Sequence, residues 1–153
     1  MDEPTQIALV RIGLAALLGG LTGIERDKSD KPAGVRTMLL IAAGSCAFAL
    51  LGERITGRPD APDSVRVDST RVLSYLITGI GFLGGGAILH SRRSVRGLTT
   101  AATIWAVAGM GAACGLGEHD IALVIFAFVI GALWVPRLLV LSGVLREPSR
   151  GGD

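Results

Sequence analysis

Three carboxylates crowd the stretch Glu25-Arg26-Asp27-Lys28-Ser29-Asp30-Lys31-Pro32-Ala33-Gly34. Glu25, Asp27 and Asp30 offer the hard oxygen ligands that a hydrated Mg²⁺ takes, because that ion usually binds through one or two carboxylates and keeps several waters. Interleaved with Arg26, Lys28 and Lys31, they make equally well a solvated turn whose bases orient the neighbouring elements. Arg36, Arg71 and Arg96 carry a different chemistry: a guanidinium holds five donors in a fixed fork, suited to bridging a carboxylate or the last carbonyls of a helix. Gly79-Ile80-Gly81-Phe82-Leu83-Gly84 spells the dinucleotide pattern G-x-G-x-x-G, which works only where a strand turns into a helix. Here it lies inside an apolar run with no strand before it. Its glycines suit a seam where two helix backbones touch, as Gly81/Gly85, Gly19/Gly23 and Gly111/Gly115 would by their four-residue spacing, or an opened helix lining an ion path.

Catalytic signatures are missing from the sequence. His90 and His119 are its two histidines, and there is no HExxH, nucleophile elbow or Cys/His ligand spacing. Ser45, Thr78 and Thr103 are expected to bond to their own helices. The chain is expected to be no enzyme and to carry no cofactor, with Mg²⁺ the one ion to consider. Cys46 and Cys114 read as small apolar residues.

The elements that must position these groups are membrane helices. Half of the 153 residues are hydrophobic and 18% are charged, where soluble domains carry about 25% charged residues. Mean hydropathy is +0.55. The net charge of +2 gives no electrostatic case for nucleic acid. In Ser74–Thr103 a glycine-laden apolar stretch runs into a purely basic loop, and a second apolar stretch follows, as lipid demands of a helical hairpin. The sequence predicts an all-α, polytopic membrane helical bundle of about five transmembrane helices, near 7–24, 34–52, 72–89, 98–117 and 121–141. Pro136-Arg137 should kink the last or take it out of the bilayer. Together these form one transmembrane domain, 1–146, with a short polar tail, 147–153, and the first span is expected to be retained rather than cleaved.

Lysine and arginine set the orientation. Arg26, Lys28, Lys31 and Arg36 flank one connection, Arg92, Arg93 and Arg96 fill another, and Arg137, Arg146 and Arg150 mark the tail. These sides read as cytoplasmic, with the N-terminus outside, although the Glu53–Arg71 connection dissents with four arginines. Arg11, near the start of the first span, would snorkel to the interface. Asp68 or Ser69 could cap the third helix, and Thr99-Thr100 the fourth. Leu18-Gly19-Gly20 before Gly34-Val35-Arg36-Thr37 is echoed by Leu83-Gly84-Gly85 before Gly97-Leu98-Thr99-Thr100, as in a parallel repeat.

Four of these blocks, in order, resemble the MgtC/SapB family of bacterial membrane proteins. They are Gly23-x-Glu25-Arg26 with Lys31-Pro32-Ala33-Gly34-Val35-Arg36-Thr37, then Asp68-x-x-Arg71, then Gly79-Ile80-Gly81-Phe82-Leu83-Gly84-x-Gly86, then Ser94-Val95-Arg96-Gly97-Leu98-Thr99-Thr100-Ala101-Ala102. Tyr75 stands where the family usually has glutamine, Gly85 where it has alanine, and His90 where it often has arginine. The resemblance implies a non-enzymatic inner-membrane protein linked to magnesium homeostasis and adaptation at low Mg²⁺, with a cation transporter or channel as the alternative. It implies a functional motif drawn from Glu25, Arg26, Lys31, Pro32, Gly34, Arg36, Thr37, Asp68, Arg71, Gly79, Gly81, Gly84, Arg96, Gly97, Thr99 and Thr100. Expected partners are membrane lipid, other inner-membrane proteins and further copies of the chain. Members often carry a cytoplasmic C-terminal domain, for which the tail after Arg146 leaves no room.

Overall fold

The computed structural model describes residues 3–56, 69–91 and 94–143. Five helices follow one another: α1 (Glu3–Lys28), α2 (Val35–Thr56), α3 (Ser69–Gly86), α4 (Leu98–Leu116) and α5 (His119–Leu141). Between α3 and α4 a short antiparallel hairpin, β1 (Leu89–Ser91) and β2 (Ser94–Arg96), pairs Leu89 with Arg96 and Ser91 with Ser94. The sequence anticipated a plain loop there and a helix reaching residue 89. Successive glycines instead end α3 at Gly86, since each costs about 1 kcal/mol in a helix interior relative to alanine.

All helices but α3 are long and apolar enough to cross a membrane, among the described residues. On composition α3 falls short of the other four. Its 18 residues nevertheless reach about 27 Å at 1.5 Å per residue, and its two ends touch opposite ends of the bundle. Val72 lies against Gly52 near the end of α2, and Gly84 lies against Ala101 in the first turn of α4. Large apolar side chains such as Leu17, Phe82, Trp105 and Phe128 point outward, a surface that suits lipid rather than water.

The centre is the packing of α1, α2 and α4. Ala15, Leu18, Met38, Ala42, Cys46, Val107, Met110 and Cys114 form one buried cluster there, both cysteines as free thiols. Glycines set its tightness. A Cβ on Gly19 would sit 2.6 Å from the Met38 carbonyl oxygen, and one on Gly115 2.5 Å from that of Cys46. On Gly23 it would meet the Val35 backbone, and on Gly111 the Ala42 backbone. The expected seam is therefore made by Gly19/Gly23 and Gly111/Gly115. It is not made by Gly81/Gly85, where an added Cβ meets nothing within 4 Å.

The last helix runs through Pro136 to Leu141, the limit expected of that span, as membrane helices can when surrounding groups satisfy the freed carbonyl. One further expectation changes. Thr99 and Thr100 do not cap α4: its start is Gly97 at φ 90, with no side-chain cap. A Cβ on Gly97 would collide with the Ala87 carbonyl, so this position needs glycine for both its backbone angle and its space.

Candidate functional site

The two ends of the bundle carry different polar arrangements. At the first end lie the C-terminus of α1, the start of α2, the β-hairpin and the first turn of α4. The helix α1 continues past its apolar run to Lys28, so Glu25 and Arg26 are helical and buried, at 6% and 3% exposure, instead of lying in a solvated turn. Arg26 donates from Nη2 to Thr100 Oγ1 at 2.6 Å, and Thr100 is itself buried. One residue of the first hairpin is thereby fastened to the start of the fourth helix, 74 residues on. Ser29 Oγ lies 2.7 Å from both the Glu25 carbonyl oxygen and Glu25 Oε1, so its single proton chooses between them. The hydroxyls of Thr22 and Thr103 bond to the carbonyls of Leu18 and Thr99 on their own helices, and Thr78 likewise to Ser74.

The turn after α1 is held by Asp27. Its Oδ2 accepts the Val35 N–H at 3.1 Å, at the first helical residue of α2, where a carboxylate satisfies an orphan donor and faces the positive end of the helix. A Cβ on Gly34 would land on that carboxylate. Asp30 and Ala33 hold the left-handed region at φ 50 and 60. For alanine that conformation costs about 1 kcal/mol, so the Lys31-Pro32-Ala33-Gly34 segment stores strain.

These contacts give the three candidate carboxylates separate surroundings: Glu25 is buried, Asp27 caps α2, and Asp30 is exposed. Among the described residues no three His, Cys, Asp or Glu side chains form a group placed to hold a metal ion. Lys31, Pro32, Arg36, Thr37, Arg71, Arg96 and Thr99 are exposed at or near helix and strand ends. Asp68 lies outside the described residues. Because α3 is helical throughout Gly79–Gly86, the opened-helix reading of that segment does not hold. Gly79 and Gly81 face open space, and Gly84 makes ordinary contact with Ala101, 3.5 Å from its carbonyl oxygen.

At the opposite end sits an arrangement that the sequence assigned to other arginines. Arg11 donates at 2.7 Å both to Glu53 Oε2 on α2 and to the Gly115 carbonyl on α4. This bridge to a carboxylate and a helix C-terminal carbonyl was expected of Arg36, Arg71 and Arg96. It is made instead by the residue that was to snorkel. The end of α4 is shaped to receive it: Gly117 turns left-handed at φ 82, the Glu118 N–H bonds to Ala113, and the Gly117 N–H bonds to Cys114, a Schellman closure. A Cβ on Gly117 would lie 2.7 Å from Arg11 Nη2. Arg54 adds a second tie, donating to the Pro4 carbonyl in the first turn of α1.

Between α2 and α3 runs a groove of about 630 Å³ with an almost wholly apolar lining. Tyr75, at the position where a glutamine was expected from resemblance, lines it and is largely exposed.

A sequence model described as the MgtC family matches residues 12–140. "Protein MgtC" of Salmonella typhimurium is 44% identical over 109 residues, which cover 71% of this chain and 43% of that protein. "Protein MgtC" of Brucella abortus is 40% identical over 130 residues, covering 84% of this chain and 51% of that protein. The chain thus spans about half the length of the curated relatives it matches. No solved structure is significantly similar to it.

Proposed function

The chain belongs to the MgtC family, and on that premise we propose that it is a non-enzymatic, multi-pass protein of the bacterial inner membrane acting in magnesium homeostasis or low-magnesium adaptation. The observation that carries the reading to particular residues is the buried Arg26–Thr100 bond. It joins the Glu25-Arg26 block to the Gly97–Thr100 block, two of the segments on which the family resemblance rests. Burying a charge is costly unless it is paired and hydrogen-bonded, and here the bond locks the first helical hairpin to the fourth helix.

The test is growth in low Mg²⁺ of a bacterial strain lacking its own family member. Arg26→Lys keeps the charge and loses the fork, while Thr100→Val keeps the shape and loses the acceptor. Both variants should accumulate in the membrane yet rescue growth about tenfold less well than the parent chain, as expected for loss of one buried charge-assisted bond. Arg71→Lys, at an exposed site away from the bond, should rescue fully. Full rescue by both node variants would detach the proposed function from this bond.

The orientation follows from charge. With the end carrying Lys28, Lys31, Arg36 and Arg96 placed in the cytoplasm, the N-terminus lies outside and the C-terminus inside. After replacement of Cys46 and Cys114, a cysteine introduced by Ser94→Cys should resist membrane-impermeant thiol reagents in intact cells, and one introduced by Ala61→Cys should react. The reverse pattern would invert the topology.

A further inference from the structure

We infer that the groove between α2 and α3 holds one acyl chain of an anionic phospholipid, with the phosphate engaged by Arg36 at its basic end. The groove exists because the two helices touch at one end and part toward the other. A Cβ on Gly52 would come within 2.9 Å of Val72, whereas one on Gly44 or Gly79 meets nothing within 4 Å. Past the Gly52–Val72 contact the C-terminal half of α3 leans on α4 through Gly84 and Ala101, leaving an apolar slot walled by Leu40, Gly44 and Phe48 on one side and Tyr75, Gly79 and Leu83 on the other.

Its length and its charge select the occupant. From Val72 to Leu83 the wall rises about 16 Å at 1.5 Å per residue, roughly half of a hydrocarbon core about 30 Å thick. That is the depth of one leaflet, which suits a lipid tail entering from one side. A partner helix would need the full depth, and the Gly52–Val72 contact closes it off. At the open end, Arg36 stands four residues before Leu40, on the same face of α2, with its side chain exposed and Thr37 beside it. Across the slot, α3 leads from Leu83 into the hairpin that carries Arg96. Apolar walls one leaflet deep beneath exposed guanidinium groups at the headgroup level complement a tail and a phosphate.

The test is native mass spectrometry of the delipidated chain in mild detergent, titrated with phosphatidylglycerol or with phosphatidylcholine of the same acyl chains. One phosphatidylglycerol should be retained, with phosphatidylcholine about fivefold weaker, since one arginine near a headgroup contributes about a fivefold preference for anionic lipid. Arg36→Gln should bring phosphatidylglycerol down to the phosphatidylcholine level. Gly79→Leu fills the slot without a clash and raises helix propensity, so it should weaken both lipids. Gly81→Leu, an equally open position outside the slot, should bind as the parent does. Equal retention of the two lipids by the parent chain, or unchanged binding by Gly79→Leu, would overturn the assignment. Displacement of the lipid by millimolar inorganic phosphate would make this a free-phosphate site. A dimer abolished by Gly79→Leu would make it a subunit interface. Either result also overturns it.

Discussion

Gly111→Ala should destabilise the bundle and Gly109→Ala should not, although the two positions are only two residues apart on α4. A methyl at 111 would be driven into the Ala42 backbone, and no side chain can swing aside to admit it. Overpacking costs about 1–3 kcal/mol, and more where backbone must move. At 109 the same methyl meets nothing within 4 Å and brings up to about 1 kcal/mol of helix propensity. Both variants gain that propensity, so unfolding of the purified variants in mixed micelles should separate them by the overpacking cost, about 1–3 kcal/mol. Equal stabilities would mean that α2 and α4 do not meet where the structure puts them.

Arg11→Met should be the second large effect. It removes the donor from the Gly115 carbonyl and from Glu53 together. The carboxylate is about half exposed, and ion pairs with water access contribute less than about 1 kcal/mol. The orphaned carbonyl at the end of α4 accounts for the larger part, so the total should reach about 2–3 kcal/mol. Glu53→Gln should cost about 1 kcal/mol or less. In the double variant that cost should vanish, because without Arg11 the carboxylate has lost this partner. Raised salt should move the parent chain little, since the larger share is a bond to a carbonyl rather than a screened charge. A large salt effect, or additive losses in the double variant, would return Arg11 to the role of a surface charge.

The helices were legible in the sequence because hydropathy and basic connections dictate them, and all five start and end within four residues of expectation. What was lost at the end of α1 was lost for a physical reason. A span read from hydropathy stops at the first charge, Glu25, while the hydrogen-bond ladder continues wherever a charge finds a partner, and the partner Thr100 is far along the chain. The same distance hid Arg11. The four-residue glycine spacing was informative about faces and silent about neighbours. At Gly19, Gly23, Gly111 and Gly115 a helix lies opposite, whereas at Gly81 and Gly85 the same spacing looks onto open space. The echo between the two halves survives in the contact of Gly19 with α2 and of Gly84 with α4. The second is looser, and a turn joins one pair where a β-hairpin joins the other.

The seating of Arg11 on the Gly115 carbonyl also sets a timetable for biogenesis. The two residues are 104 apart, and at about 5–20 residues per second of synthesis the acceptor follows the donor by about 5–20 s. Glu53 arrives sooner, 42 residues after Arg11. Until Glu53 emerges the guanidinium of the first helix has neither of these partners, and translation must bring α4 before this end of the bundle can close. Ribosome pausing between the second and fourth helices would lengthen the exposure of a half-sealed hairpin to membrane quality-control proteases.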